Sequence, residues 1–147
     1  MKTVAFGSDH GGRELRLFLM EKARELGYGV LDEGTDGDAS VDYPDYAEKA
    51  TRRVLAGDAC CCVLCCGTGI GISIAANKVA GIRCALCSTE YDGEMARRHN
   101  DANALALGGR TTGPELALSI MKRFLTTEFE GGRHVTRLEK IAALRAK

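Results

Sequence analysis

Short apolar runs alternate along the chain with segments whose apolar residues recur every three or four positions. Val4-Ala5-Phe6 predicts a first strand, ended by Gly7-Ser8-Asp9-His10-Gly11-Gly12. From Arg13, the residues Leu15, Leu17, Phe18, Leu19, Ala23 and Leu26 fall largely on helical spacing, and Gly27 supplies a stop. Residues 28–31 read as a second strand and 32–42 as a polar loop. Tyr43-Pro44-Asp45-Tyr46 opens another helix, with Pro44 suited to its first turn and Ala47, Ala50, Val54 and Leu55 on its inner face before Gly57. The third apolar run, 59–66, is continuous rather than alternating, as expected of a parallel strand covered on both faces. It breaks abruptly into Gly67-Thr68-Gly69-Ile70-Gly71, followed by a helix over 72–77. A fourth strand over 81–86 precedes a helix over 90–99. A fifth, 104–107, is stopped by Gly108-Gly109-Arg110. Then come a helix from Pro114 to Thr126, a Gly131-Gly132 break and a last helix over 134–145.

Strands alternating with helices predict βαβ units. The fold class is therefore α/β, a three-layer domain with a five-stranded parallel sheet and a C-terminal helix. Ligands of such sheets sit beyond the carboxyl ends of the strands. Asp9-His10, the segment from Cys66 to Gly71, and Arg110 all fall there. His99-Asn100 does not, because it ends a helix ahead of its strand, so it has to reach a site by another route such as a second subunit.

The glycine segment turns backbone N–H groups toward the positive end of a helix dipole, which suits an anion. It lacks the Gly-Lys-Ser/Thr of a Walker loop and the spacing and acidic partner of a dinucleotide fingerprint. A tight strand-to-helix turn with no ligand would look the same. Cys66 stands at its lip, where a helix N-terminus favours a thiolate proton carrier or nucleophile. Cys65 competes for that role, but strand alternation sends the two side chains to opposite faces. His10, His99 and Asp9 read equally as capping or loop residues. Arg133, His134 and Arg137 form a basic corner, either a solvated face or, with Arg110, a clamp for a phosphate.

At 147 residues the chain predicts one domain, 1–147. Twenty basic residues balance twenty acidic ones, giving no net charge to draw it to nucleic acid or a membrane surface. No apolar run approaches a membrane span, and polar Asp9 and His10 come too early for a signal peptide. Five of the seven cysteines crowd into 60–66, where neighbours point apart, so a disulfide framework is excluded. Cys62-x-x-Cys65 lacks a second ligand pair for zinc. These readings predict reduced thiols, a cytoplasmic setting and no metal.

Taken together, Gly7-Ser8-Asp9-His10-Gly11-Gly12, Asp42-Tyr43-Pro44, the run from Cys66 to Lys78, Arg98-His99-Asn100-Asp101-Ala102-Asn103 and Gly131-Gly132-Arg133-His134 resemble type B ribose-5-phosphate isomerase. The match runs almost end to end and in order. The wider family includes galactose- and allose-6-phosphate isomerases. The resemblance implies a Rossmann-like homodimer, with a tetramer left open, whose active sites lie at the subunit interface. It implies a phosphorylated sugar substrate, no cofactor and an enediolate route between ribose 5-phosphate and ribulose 5-phosphate in the pentose phosphate pathway. By the same resemblance Cys66 is the base, Thr68 and the amides of Gly67, Gly69 and Gly71 hold the oxyanion, and His99 opens the furanose ring. Asp9 lies near the ring oxygens, Asn100 binds the sugar and Tyr43 borders it. His10, Arg110, Arg133 and Arg137 hold the phosphate, and His134 is left without a settled role. A glutamate replaces the cysteine in one branch of the family; Ile72 occupies that position here. A hexose 6-phosphate isomerase and a non-catalytic sugar-phosphate sensor are the rival readings.

Overall fold

In the computed structural model, which describes residues 1–145, the five strands form one parallel sheet. The elements are β1 Thr3–Ser8, α1 Arg13–Glu25, β2 Gly29–Asp32, α2 Tyr43–Leu55, β3 Cys61–Cys66, α3 Ile70–Asn77, β4 Cys84–Leu86, α4 Glu90–Arg98, β5 Ala104–Gly108, α5 Pro114–Thr126 and α6 Arg133–Leu144. The strand order is β2-β1-β3-β5-β4, so β5 inserts between β3 and β4. In register, Ser8 stands opposite Cys65, and Cys66 opposite Gly108. The carboxyl ends of β1, β3 and β5 therefore finish level, which sets Asp9, the glycine loop and Arg110 side by side.

Every residue of β3 is buried, and its alternation divides the core in two. Cys61, Val63 and Cys65 join Val4, Phe6, Leu105 and Leu107 beneath α1, α4 and α5. Cys62, Leu64 and Cys66 join Ala5, Ala104 and Ala106 beneath α2 and α3. Continuous hydrophobicity in the sequence is thus two interleaved faces, each covered by helices. The second face is built mostly of Ala and Cys, which lets α2 and α3 approach closely. α6 lies outside these layers. Its C-terminal Arg145 donates to the carbonyls of Asn77 and Lys78 at the end of α3, both at 3.0 Å.

Four differences from the sequence pattern have a visible local cause. The first, α3, starts at Ile70, two residues early, because Gly69 adopts φ 80° and serves as its N-cap. Then β4 keeps only Cys84–Leu86, since the preceding residues turn: the Asn77 side chain pairs with both backbone groups of Cys84, and Asn103 with Arg83 and Gly81. His10–Gly12 forms a 3-10 turn, capped by Asp9. Lastly, β3 begins at Cys61, leaving Cys60 exposed, so Cys60 is not the packing residue the run suggests. All seven cysteines are free. Among the described residues no helix is long and apolar enough to cross a membrane.

One buried charge supports the β1 end. The Arg16 side chain, 1% exposed, donates to Ser8 Oγ at 2.6 Å and the Thr35 carbonyl at 2.9 Å, and pairs with Asp32 at 3.2 Å. Arg16→Met should cost on the order of 3 kcal/mol in a denaturant titration, because it strands the groups the guanidinium serves. An unchanged midpoint would show that this network contributes nothing net.

Candidate active site

The expected site residues gather in two groups. The first lies beyond the sheet's carboxyl edge. Cys66 ends β3, and its Sγ accepts the Gly69 N–H at 3.1 Å. Thr68 Oγ1 accepts the Ile70 N–H at 3.2 Å. A helix leaves its first N–H groups without intrahelical partners. Once these two are used, the N–H groups of Gly71 and Ile72 have no acceptor among the described residues. The loop is tied to the end of β5, since Gly109 N–H donates to the Cys66 carbonyl at 2.8 Å and Arg110 N–H to the Gly67 carbonyl at 2.9 Å.

Side chains from three other segments close over this loop. A Cβ on Gly67 would lie 2.9 Å from Arg110 Nη1, and one on Gly11 would lie 3.4 Å from Arg110 Nη2 and from Asp9 Oδ1. The guanidinium therefore bridges the β1 turn and the glycine loop. A Cβ on Gly71 would meet Tyr43 Cζ at 2.5 Å, so the phenol lies directly on that backbone. Asp9, 7% exposed, accepts the Gly12 N–H at 3.1 Å. His10 Nδ1 accepts the Val41 N–H at 3.2 Å, which fixes the polar loop and leaves Nε2 as the donor of the neutral ring.

The second group stands at the end of α4 and the start of α6. The rings of His99 and His134 stack with centroids 4.3 Å apart and planes 16° from parallel. Each Nε2 lies 3.8 Å from the same oxygen, Glu130 Oε2. Glu130 Oε1 lies 3.5 Å from Arg133 Nη1. Asp101 turns the chain after α4 with φ 43° and pairs with Arg97 at 2.9 Å and Arg83 at 3.4 Å. Arg83 also donates to the Asn100 carbonyl at 3.0 Å. No hydrogen bond or ion pair among the described residues joins this group, which includes Asn100 and Arg133, to the Cys66 group.

His134 corrects the solvated-face reading of its corner. It is 5% exposed, and burial, followed by the charges of Arg133 and His99, pushes its pKa down. Arg133 and Arg137 do stay at the surface. Sequence reasoning also passed over Glu130, Arg83, Arg97 and Arg16. Their only signal was charge near a polar cluster, which long-range partners alone can interpret.

The geometry separates the two neighbouring thiols. Cys65 is fully buried on the α1–α5 face, and desolvation pushes its pKa up to about 12. Cys66 points to the other face beneath the loop. At the far end of β3, Cys60 and Cys61 approach with Sγ atoms 3.8 Å apart, and the contact with Cys61 lowers the Cys60 pKa to about 6. A cleft of about 770 Å³ lies elsewhere, between α3 and α6, and is lined by Ser73, Ile74, Asn77, Asn100, Leu138 and Ile141 among others. Neither Cys66 nor Arg110 lines it.

The chain is similar to known proteins over nearly its whole length. The family model for ribose/galactose isomerase matches residues 4–141. Ribose-5-phosphate isomerase B of Escherichia coli is 46% identical, over 98% of this chain and 97% of its own. D-erythrulose-4-phosphate isomerase of Pectobacterium atrosepticum is 39% identical, over 96% and 93%. The solved ribose-5-phosphate isomerase B of Clostridium thermocellum superposes with a TM-score of 0.96 at 49% identity, covering 99% of this chain and 98% of that one. The chain belongs to the ribose/galactose isomerase family and is an aldose–ketose isomerase.

Proposed function

We propose that the protein interconverts ribose 5-phosphate and ribulose 5-phosphate with Cys66 as the base. The observation carrying this reading is the Cys66 thiol bound by the Gly69 amide, at the head of a loop whose next N–H groups are unpaired. The thiolate takes the proton from C2. The negative charge that develops on the sugar oxygens meets the N–H groups of Gly71 and Ile72, Thr68 and the positive end of α3. The proton then returns from Sγ to C1, while O1 gains a proton and O2 gives one up. No electron leaves the substrate, so the chemistry needs neither nicotinamide nor metal.

The phosphate is held away from the reacting carbons, where binding orients C1 and C2 without joining the chemistry. Arg110 and His10 flank the Cys66 loop and present N–H donors. His99, Asn100, Arg133 and Arg137 belong to the second group, and a second copy of the chain supplies them. Two features support that arrangement. Among the described residues no hydrogen bond or ion pair links the groups within one chain, and α3 carries Ile70 and Ile74 more than half exposed one turn apart, with Leu86 nearby. Apolar side chains at that spacing beside the loop suit a homodimer interface. His99 then delivers or accepts the ring-opening proton, with Asp9 near the ring oxygens. This chemistry places the protein in the pentose phosphate pathway, in the cytoplasm.

Arg110→Ala and Arg137→Ala should each raise KM roughly 10- to 150-fold, the value of one charged hydrogen bond, while kcat moves less. An unchanged KM would remove that arginine from the clamp. The Pectobacterium relative gives a second reading on the same machinery, a sugar phosphate of another length. Measuring kcat/KM for ribose 5-phosphate, allose 6-phosphate and erythrulose 4-phosphate on pure protein tests both. A clear preference for the pentose supports the first reading, and preference for either other sugar replaces it. Tight binding of all three with no exchange of substrate protons into solvent would indicate a sensor instead.

A further inference from the structure

We propose that Cys60 is a site of reversible covalent modification, a thiolate that exchanges with small-molecule disulfides to form a mixed disulfide. Of the seven cysteines it is the one exposed at the surface. It stands just before β3 with its N–H bound to the Thr3 carbonyl at 2.9 Å, so its backbone is fixed while the residue stays exposed. Its Sγ lies 3.8 Å from the Sγ of Cys61, which is buried. When Cys60 ionises, the Cys61 S–H is the donor of that contact. The groups facing Cys60 are Cys61 from β3, Lys2 ahead of β1, Arg97 from α4 and Tyr28 ahead of β2. Two of the four are cations, and the phenol stays neutral because burial, then the two thiols, push its pKa up. An accessible thiol beside positive charge is the setting of a reactive cysteine. The contact with Cys61 accordingly lowers the Cys60 pKa to about 6, with Lys2 and Arg97 acting the same way against partial burial.

The exchange balances with the small disulfide as its only co-reactant. The Cys60 thiolate attacks one sulfur of RS–SR, a Cys60–SR bond forms, the old S–S bond breaks, and RS⁻ leaves with its electron pair. The product stops there. Cys61 is held protonated, its pKa pushed up by the Cys60 contact and by burial, so it attacks the new disulfide poorly. Neighbouring Cα atoms also stand about 3.8 Å apart across a trans peptide, short of the ~4.4–6.8 Å that ordinary disulfides span. The other thiols of the core do not compete. Cys62, Cys65 and Cys87 are buried, and desolvation pushes their pKa values and that of Cys84 up. Cys66 lies at the other end of β3, roughly 20 Å along the strand, so modification of Cys60 leaves it free.

The test mixes reduced, full-length protein with the chromogenic aromatic disulfide dithiobis(nitrobenzoate) and follows the released thiolate across a range of pH. One fast equivalent per chain is expected, with intact mass showing one added aryl thiol that a reductant removes. Its rate should rise with pH through about 6 and then level. At that pH, against an ordinary thiol of pKa about 8.5, the thiolate fraction is roughly 150-fold higher and the nucleophilicity roughly 10-fold lower, a net gain of about tenfold. Cys60→Ser should abolish the fast phase. Cys61→Ala should slow it about tenfold at the same pH, by returning the midpoint toward the ordinary value. Cys60→Ser alters an exposed residue, so it decides the matter even if Cys61→Ala does not fold. Turnover should persist in the singly labelled enzyme. A fast phase surviving in Cys60→Ser, an unmoved midpoint in Cys61→Ala, loss of turnover in step with labelling, or a product lacking two hydrogens with no adduct would each overturn the proposal.

Discussion

Cys66→Ala is expected to lower kcat by at least about 10²–10⁴-fold, the contribution of a positioned acid–base group, while sugar-phosphate affinity changes little. The asymmetry follows from geometry. Cys66 Sγ sits under the glycine loop, bound to one amide, while the proposed phosphate donors Arg110 and His10 are separate side chains on β5's exit and the β1 turn. Alanine removes the proton carrier and leaves those donors in place. Cys65→Ala is the matched control. Its thiol is fully buried on the opposite face, and desolvation holds it protonated with a pKa pushed up to about 12. It should keep kcat within a few-fold and show its effect in stability, as a small core truncation does. Steady-state kinetics with a binding measurement on each variant decide the matter. Near-native turnover in Cys66→Ala, or a collapse confined to Cys65→Ala, would reverse the assignment.

The parts of this reading that survive from the sequence share one property: local chemistry specified them. The break from an apolar run into Gly67-Thr68-Gly69-Ile70-Gly71 announced a strand, turn and helix, and alternation alone separated Cys65 from Cys66. Strands alternating with helices likewise foretold a parallel sheet. What stayed hidden depends on distant pairing. Nothing local says that β5 inserts between β3 and β4, yet that order puts Arg110 against Gly67. Arg16 reads as an ordinary helix charge until Ser8, Asp32 and Thr35 surround it. His134 reads as surface because it lies between Arg133 and Arg137's turn, but stacking on His99 buries it. Glu130 offered only a charge near a polar cluster, since its meaning lies in two histidines more than thirty and only four residues away. The displaced position of His99-Asn100, by contrast, was visible as an anomaly of topology, and the structure sets His99 beside His134 and Glu130 rather than beside Cys66.

The other large effect is expected from Gly69→Ala. Two separable penalties act at this residue. Its φ of 80° is costly for any side chain, about 1–2 kcal/mol for alanine. In addition, the new Cβ would lie 2.9 Å from the Leu107 carbonyl carbon and 3.1 Å from Gly108 N, both backbone atoms of β5 that cannot swing away. The loop has to shift instead, and the atoms that shift are the Cys66-bound amide and the N–H groups that follow it. Losing one correctly placed oxyanion donor lowers kcat by about 10²–10³-fold. Gly57→Ala isolates the first penalty, because its φ is 82° but no atom lies within 4 Å of the added methyl. That variant should lose roughly 2–8 °C in Tm and keep its kcat. Gly69→Ala should lose more in Tm and, unlike Gly57→Ala, lose turnover with it. Equal Tm losses would mean that β5 gives way to the methyl group. A Gly69→Ala enzyme with native kcat would mean that the glycine loop is only a turn and that the enediolate charge is held by other groups.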